Sequence, residues 1–240
     1  MTAFIIDVET TGRKNSQVIE LGWVTFNWKE SSSNFIFERR YKPNIPIEYG
    51  AMATHHILLE DLENCPDSNT VYYDLPDKID YWIGHNCDFD YEALGKPSNV
   101  KLIDTLAISR KLYPELDSHT QSAMLYFFEG VGARDKLVNA HSALTDCKNC
   151  ADLLRHLIQV INSRGNLPRV ENLEELYNFS QSCRLFDVMP FGKYKGEPLA
   201  KIPMEYISWL KKQPDVDFWL VESFKSIGKW WFLIRKCWFI

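Results

Sequence analysis

The chain has 240 residues, 45% of them hydrophobic and 25% charged, with a formal net charge of −5. That is enough to bury a full core in one large domain, or one plus a small appendage, and no apolar run approaches the roughly 20 residues of a membrane span. The acidic balance argues against a polyanion held by bulk electrostatics, and the start lacks a basic-then-apolar leader, so a cytoplasmic protein with no membrane partner is expected.

The first element, "FIIDVETTG" (residues 4–12), is a short β-prone run closed by turn residues. Side chains two apart on a strand share a face, so Asp7 and Glu9 sit side by side. Two like charges held close in a partly buried place repel and lose hydration. They share a proton, surround a cation, or belong to a strand end that reaches solvent. "QVIELGWVTFNW" and "SNFIFERRYKP" follow as alternating runs joined by "KESS", which reads as an antiparallel meander. Glu20, on the face of Val18 and Gly22, is expected to bond backbone or a supporting group rather than to react.

After "NIPIEYGAMATHHI" and the acidic "LLEDLEN", "YWIGHN" reads as a strand and "CDFDYEALG" as a helix closed by Gly95. "VKLIDT" and "LAISRKLYP" repeat that order, with Asp104 as the expected N-cap of the second helix. "DSHTQSAMLYFFEG" runs from capping residues to glycine. "HSALTDCKNCADLLRHLIQVINSRG" is the longest amphipathic pattern, with Leu144, Cys147, Ala151, Leu154, Ile158 and Ile161 at helical spacing. A mixed sheet flanked by helices follows from this alternation. The six cysteines are scattered, which suits reduced thiols, and Cys147-x-x-Cys150 lies inside the helical stripe without a second pair, which suits core better than zinc.

Residues 164–182, "RGNLPRV" and "ENLEELYNFSQ", read as a linker and a helix after a domain spanning 1–163. Residues 183–240 differ in character: they hold ten Lys/Arg against six Asp/Glu, and five of the 8 Trp. "FDVMPFGKYKGEPL" reads as a hairpin and "PMEYISWLKKQ" as a helix, giving a small α+β appendage in which Trp209 and Trp219 are expected in the core. The apolar ending "KWWFLIRKCWFI" leaves packing on the main domain, a homodimer contact and an aberrant terminus all open.

Polar residues that break apolar patterns cluster at element ends. "HNCDFD" puts His85, Asn86 and Asp90 at a strand-to-helix junction, where open α/β sheets build sites. "HSALTD" puts His141 and Asp146 around the start of the long helix, with His141 expected in the preceding loop. Taken singly, each has an ordinary reading as a solvated acid or loop residue. In order, Asp-x-Glu on the first strand, an Asp some eighty residues on, and His-x4-Asp on a late helix are more telling.

Those residues, in "DVETTG", "HNCDFD" and "AHSALTDC", resemble the three motifs of the DEDDh, or DnaQ-like, 3′–5′ exonuclease family, over roughly residues 3–160. "VIELG", "AMATHHI" and "LIDTLAISRKLYP" resemble it more loosely. The resemblance implies a ribonuclease H-like fold and hydrolysis of phosphodiester bonds at DNA 3′ ends, on a single strand or duplex end, releasing nucleoside 5′-monophosphates, in DNA repair. A ribonuclease of the same fold, a proofreading subunit and a noncatalytic nucleic-acid-binding module are the alternatives. Asp7, Glu9, Asp90 and Asp146 would hold two Mg²⁺ ions, with Mn²⁺ as a substitute, because four carboxylates and no thiolate suit a hard cation. His141 would be the general base, since a neutral imidazole accepts a proton near pH 7. Thr10, Thr11, Gly12, His55, Asn86 and Phe89 would meet the terminal nucleotide.

Overall fold

The structure, a computed structural model, describes residues 1–28, 35–138, 140–213 and 216–230. The "KESS" connection and the last ten residues, which include Cys237, lie outside the described residues. The chain divides into two compact units, Met1–Ser180 and Gln181–Ile240. No described helix is long and apolar enough to cross a membrane.

The first unit is built on a five-stranded sheet in the order β3-β2-β1-β4-β5. Strands β1 (Ala3–Thr10), β2 (Val18–Thr25) and β3 (Ile36–Arg40) form the antiparallel meander, and β4 (Tyr81–Gly84) and β5 (Lys101–Asp104) run parallel to β1. Helices α1 (Tyr49–His55), α2 (Asp88–Ala93), α3 (Thr105–Leu112), α4 (Gln121–Glu129), α5 (Ala133–Lys136) and α6 (Ala143–Ser163) fill the intervals. This is the expected mixed sheet flanked by helices.

Alternation along β1 separates the two faces. Phe4, Ile6 and Val8 join Val18, Leu21 and Trp82 in one buried cluster, covered by Tyr41, Val71, Cys87 and Leu94. Ile5, Asp7 and Glu9 point the other way, opposite Val24, Gly22 and Glu20 of β2, on the face against which α6 packs. The stripe that α6 buries is broader than the expected one. Cys150, Leu153 and Leu157 are buried with Cys147, Ala151, Leu154 and Ile161, while Leu144 and Ile158 are half-buried, because α6 also meets α3 and α4. Gly22 sets how closely that helix approaches: a Cβ there would lie 2.5 Å from the Ala143 carbonyl carbon and the Leu144 nitrogen. The cysteines belong to the same packing. Cys147 Sγ donates to the Gly22 carbonyl at 3.2 Å, Cys150 Sγ lies 3.7 Å from Thr105 Oγ1, and burial pushes both thiols up.

Helix α7 (Leu173–Arg184) follows a segment tied down by Asn162, whose side chain both donates to and accepts from the Val170 backbone at 2.8 Å. Glu174 accepts from Tyr81 Oη (2.6 Å) and pairs with Lys101, and Ser180 Oγ accepts the Asp104 backbone N–H at 2.8 Å. In the second unit, α8 (Met204–Leu210) and α9 (Phe218–Ser226) enclose Met189, Leu199, Ile202, Ile207, Leu210, Leu220 and Phe224. The described part of this unit is helical, and the expected hairpin is reduced to an isolated bridge between Val188 and Pro198. Trp219 is half-buried, whereas Trp209, expected in the core, is 50% exposed. Ile207 and Leu210 take the buried side of α8, and Trp209 falls on the opposite side.

Candidate active site

Parallel pairing of β1 with β4 stops at Ile5 and Ile83, because the chain leaves β4 at Gly84 and turns through Asn86 with φ of 70°. The Val8 N–H then has no strand beside it. It donates instead to Asp90 Oδ1 at 3.2 Å, which draws a carboxylate from the first turn of α2 onto the end of β1. Asp104 holds this junction in shape: its Oδ1 accepts both the Asn86 N–H and the Leu106 N–H at 2.9 Å, so it is the N-cap of α3, as expected, and also a brace for the β4 turn.

The third element is the entry to α6. His141 lies in the preceding loop, with φ of 69°, and its backbone N–H donates to Asp146 Oδ2 at 3.0 Å. One ligand atom each from Glu9, His141 and Asp146 lie within 4.8 Å of one another. Gln121, at the start of α4, donates from Nε2 to the Asp146 carbonyl at 3.0 Å and approaches its Oδ1 at 3.4 Å. Glu20 fixes the helix from the sheet: Oε1 accepts the Ala143 N–H at 2.9 Å while Oε2 pairs with Arg40 at 2.7 Å. Its charge is thereby used in the support of the site, and the bond to the Ala143 N–H is the expected one to backbone.

Burial and mutual repulsion act together on the acids. Burial, then Asp90, Asp146, Glu9 and Glu20, pushes Asp7 well above the carboxylate range. Glu9 is pushed up to about 8 by burial, with Asp146, Glu20 and Asp90 adding to it. Asp90 also reaches about 8, its burial outweighing the hydrogen bond from Val8. Asp146 is raised by burial against the pull of the His141 N–H. Four carboxylates from three elements are thus held where each disfavours the charge of the others. The donor set is all oxygen with one adjacent imidazole, which fits a hard divalent cation and not zinc held by thiolates.

A cleft of about 560 Å³ is lined by Asp7 and Asp146 of the four acids, with Asn86, Arg110, Gln121 and His141 among the others, and Glu9 and Asp90 do not line it. His85 lies in the same cleft. Its Nε2 donates to the His119 carbonyl at 2.8 Å, its Nδ1 meets Thr105 Oγ1 at 2.9 Å, and burial lowers its pKa. The other expected contact residues divide. Asn86 lines the cleft, and Phe89 is half-buried in α2 without lining it. Thr10 and Thr11 are buried, and their hydroxyls are used within the turn: Thr10 Oγ1 donates to the Gly12 carbonyl at 2.7 Å, and Thr11 Oγ1 accepts the Gln17 N–H at 3.0 Å. At Gly12 a Cβ would lie 2.3 Å from the Glu48 carboxyl carbon, so the space glycine leaves is taken by Glu48. His55 is buried. Its Nδ1 accepts the Ile57 N–H at 2.9 Å, and burial lowers its pKa against the pull of the Thr10 backbone. Arg110 and Gln121 were not singled out by the sequence. A lone cation or amide on an amphipathic helix reads the same whether it faces solvent or a cleft, and no pattern in the chain marks either.

A family model described as Exonuclease (RNase_T) matches residues 4–154. A second, described as a quorum-sensing-regulated virulence factor, matches residues 183–215. Among curated proteins, the PolC-type DNA polymerase III of Caldanaerobacter subterraneus subsp. tengcongensis is 27% identical over 175 residues, which is 67% of this chain and 12% of that protein. The chain therefore matches about an eighth of the length of that relative. Exonuclease X in complex with 5′ overhanging duplex DNA superposes with a TM-score of 0.54 at 22% identity, covering 72% of this chain and 99% of that one. "AMATHHI", "KLYP" and "FGKYKG" are the stretches in which the sequence most resembles that enzyme. A structure titled as recognition of histone mRNA stem-loop by a 3′-exonuclease superposes with a TM-score of 0.51 at 16% identity, covering 66% of this chain and 82% of that one.

Proposed function

Since the chain belongs to the RNase_T exonuclease family, we propose that it is a divalent-metal-dependent 3′–5′ exonuclease of the DEDDh type that removes nucleoside 5′-monophosphates from DNA 3′ ends. The observation that carries this reading is the convergence of Asp7, Glu9, Asp90 and Asp146 beside His141, on elements fixed by Val8, Glu20 and Gln121. The four carboxylates would hold the metal, which when bound supplies Lewis-acid stabilisation of charge on the attacking and leaving oxygens.

The side chains do the rest. His141 takes the proton of the attacking water, and its loop is positioned for this by the bond between its own N–H and Asp146. Arg110 is a cation in an acidic cleft, placed to neutralise a phosphate of the bound strand. Arg110→Gln is accordingly expected to raise KM for an oligonucleotide more than it lowers kcat, and an unchanged KM would remove Arg110 from the strand path. Asn86 borders the cleft, while Thr10, Thr11 and Gly12 act through the backbone of the turn they build. DNA is favoured over RNA by the polymerase relative and by the duplex DNA named with exonuclease X. A role in DNA repair and a cytoplasmic location complete the proposal.

The test is a comparison of DNA and RNA oligonucleotides of one sequence, with 5′ labels, Mg²⁺ and a chelated control. Stepwise shortening of DNA faster than RNA supports the full reading. Faster shortening of RNA makes the protein a ribonuclease of this fold, the reading supported by the histone mRNA exonuclease likeness.

A further inference from the structure

The second unit exposes Phe191 and Trp209 and several lysines beside Tyr194 and Tyr206, which pack against its core. Between Val188 and Pro198 the chain makes a tight return, in which Met189 N–H donates to the Glu197 carbonyl and Gly196 N–H to the Met189 carbonyl, both at 2.8 Å. The tip between these bonds is exposed at Phe191 (42%), Lys193 and Lys195. Tyr194 turns back from the tip and meets the Tyr206 ring of α8 edge-on at 4.8 Å, and Tyr206 lies 5.3 Å from Trp209 at a tilt of 32°. The Lys193 ammonium sits 5.3 Å over the Tyr194 ring, and Lys212 is exposed one turn beyond Trp209. Among the described residues, Lys193, Lys195 and Lys212 have no carboxylate partner. A half-exposed tryptophan tilted against a tyrosine that a second tyrosine meets edge-on, on the same unit as a return whose tip exposes two lysines, suits unpaired bases joined by phosphates.

We propose that this face of the second unit holds a single-stranded stretch of nucleic acid, Trp209 and Phe191 stacking on bases while Lys193, Lys195 and Lys212 meet phosphates. The inference rests on the exonuclease reading for the source of its ligand. Charge distribution favours a nucleic acid over a protein surface as occupant. Residues 1–182 carry 26 acidic against 17 basic side chains, whereas residues 183–240 carry ten basic against six. A strand repelled by the acidic part needs its phosphate contacts elsewhere.

The experiment uses the full chain in chelator, so that nothing is cleaved, and follows fluorescence anisotropy of 5′-labelled 20-nucleotide oligo-dT and oligo-rU over a salt series. Trp209→Ala is expected to weaken binding by about tenfold or more, and Trp209→Phe, which keeps a stacking ring, to retain most of the native affinity. Lys193→Gln with Lys195→Gln should lower the slope of log affinity against log salt by about 1.4, at ~0.7 per phosphate contact. Equal losses on dT and rU support stacking without sugar readout. Native affinity and slope in both variants would overturn the proposal, as would self-association that Trp209→Ala abolishes while oligonucleotide binding stays native. Hydrolysis of the p-nitrophenyl ester of thymidine 5′-monophosphate by the unaltered protein with Mg²⁺ separates the two claims. This substrate has a single base and a single phosphodiester and so needs no platform for a longer strand; lack of hydrolysis removes the exonuclease reading, while hydrolysis with unaffected oligonucleotide binding removes only the platform.

Discussion

At Asp7, burial and the surrounding carboxylates act in one direction, towards a bound proton. A carboxyl held in that state is of use where a cation can displace the proton, and the same displacement should stabilise the chain. Asp7→Asn is expected to abolish 3′-end hydrolysis in Mg²⁺ while leaving the melting temperature in chelator no lower than native, because the amide removes repulsion and keeps the shape. Native turnover in that variant would end the metal-ligand role. His141→Ala is expected to slow hydrolysis by about 10²–10⁴-fold, the usual cost of losing a general base. Calorimetry should find Mg²⁺ affinity close to native, since the four carboxylates remain. Because His141 lies within reach of Glu9 and Asp146, a loss of affinity as large as that of Asp7→Asn would instead make it a ligand.

Among the elements, α6 carries most of the geometry, and its position depends on small features of β2. A methyl at residue 22 would collide with backbone at Ala143 and Leu144, so Gly22→Ala must move the helix start that holds Asp146 and, with it, the end of the loop that holds His141. Overpacking of this kind costs about 1–3 kcal/mol, and a shift near 1 Å in reacting groups can cost about 10²-fold in rate. A folded variant by circular dichroism with kcat reduced about that much is the expected outcome, and native kcat would show that the helix start is less coupled to β2 than its contacts imply. At its far side α6 is joined to α4 through Glu129, which accepts from Lys136 of α5 and from His156 of α6, both at 3.0 Å, with Lys136 also pairing with Asp152. Burial raises the Glu129 pKa, but the bonds from His156 and Lys136 overcome it and hold it below the carboxylate range. A depressed folded pKa gives stability that is present at neutral pH and lost as pH falls through it. Glu129→Gln should therefore cost about 0.5–1 kcal/mol at pH 7 in urea unfolding, and the difference should shrink towards pH 3. A penalty that does not change with pH would mean that packing, not charge, joins the helices here.

For the molecule as a whole, the residues that proved legible in the chain are those that violate an apolar pattern. Asp7 and Glu9 interrupt a strand, Asp90 and Asp146 interrupt helix starts, and His141 precedes a cap, and in that order they carry the family resemblance that implies one site. The sheet was legible for a similar reason, since alternation reports which face a residue takes. What alternation does not report is the neighbour across that face. The contact of Glu174 and Ser180 with Tyr81, Lys101 and Asp104 rests on single polar groups in an otherwise ordinary helix, and the occupation by Glu48 of the space beside Gly12 joins residues 36 apart in sequence. Trp209 misled because aromatics in a small unit usually form its core, and only the turn of α8 shows which side it takes. The claim that joins these scales is that four mutually repelling carboxylates and one imidazole form a metal-dependent centre acting on 3′ termini. It is tested most directly by following a 5′-labelled DNA oligonucleotide on a sequencing gel with Mg²⁺, with Mn²⁺ and with chelator. The expected result is a ladder that shortens one nucleotide at a time from the 3′ end with either ion, and no change in chelator. Internal fragments, early release of the labelled 5′ nucleotide, or shortening that persists in chelator would contradict it.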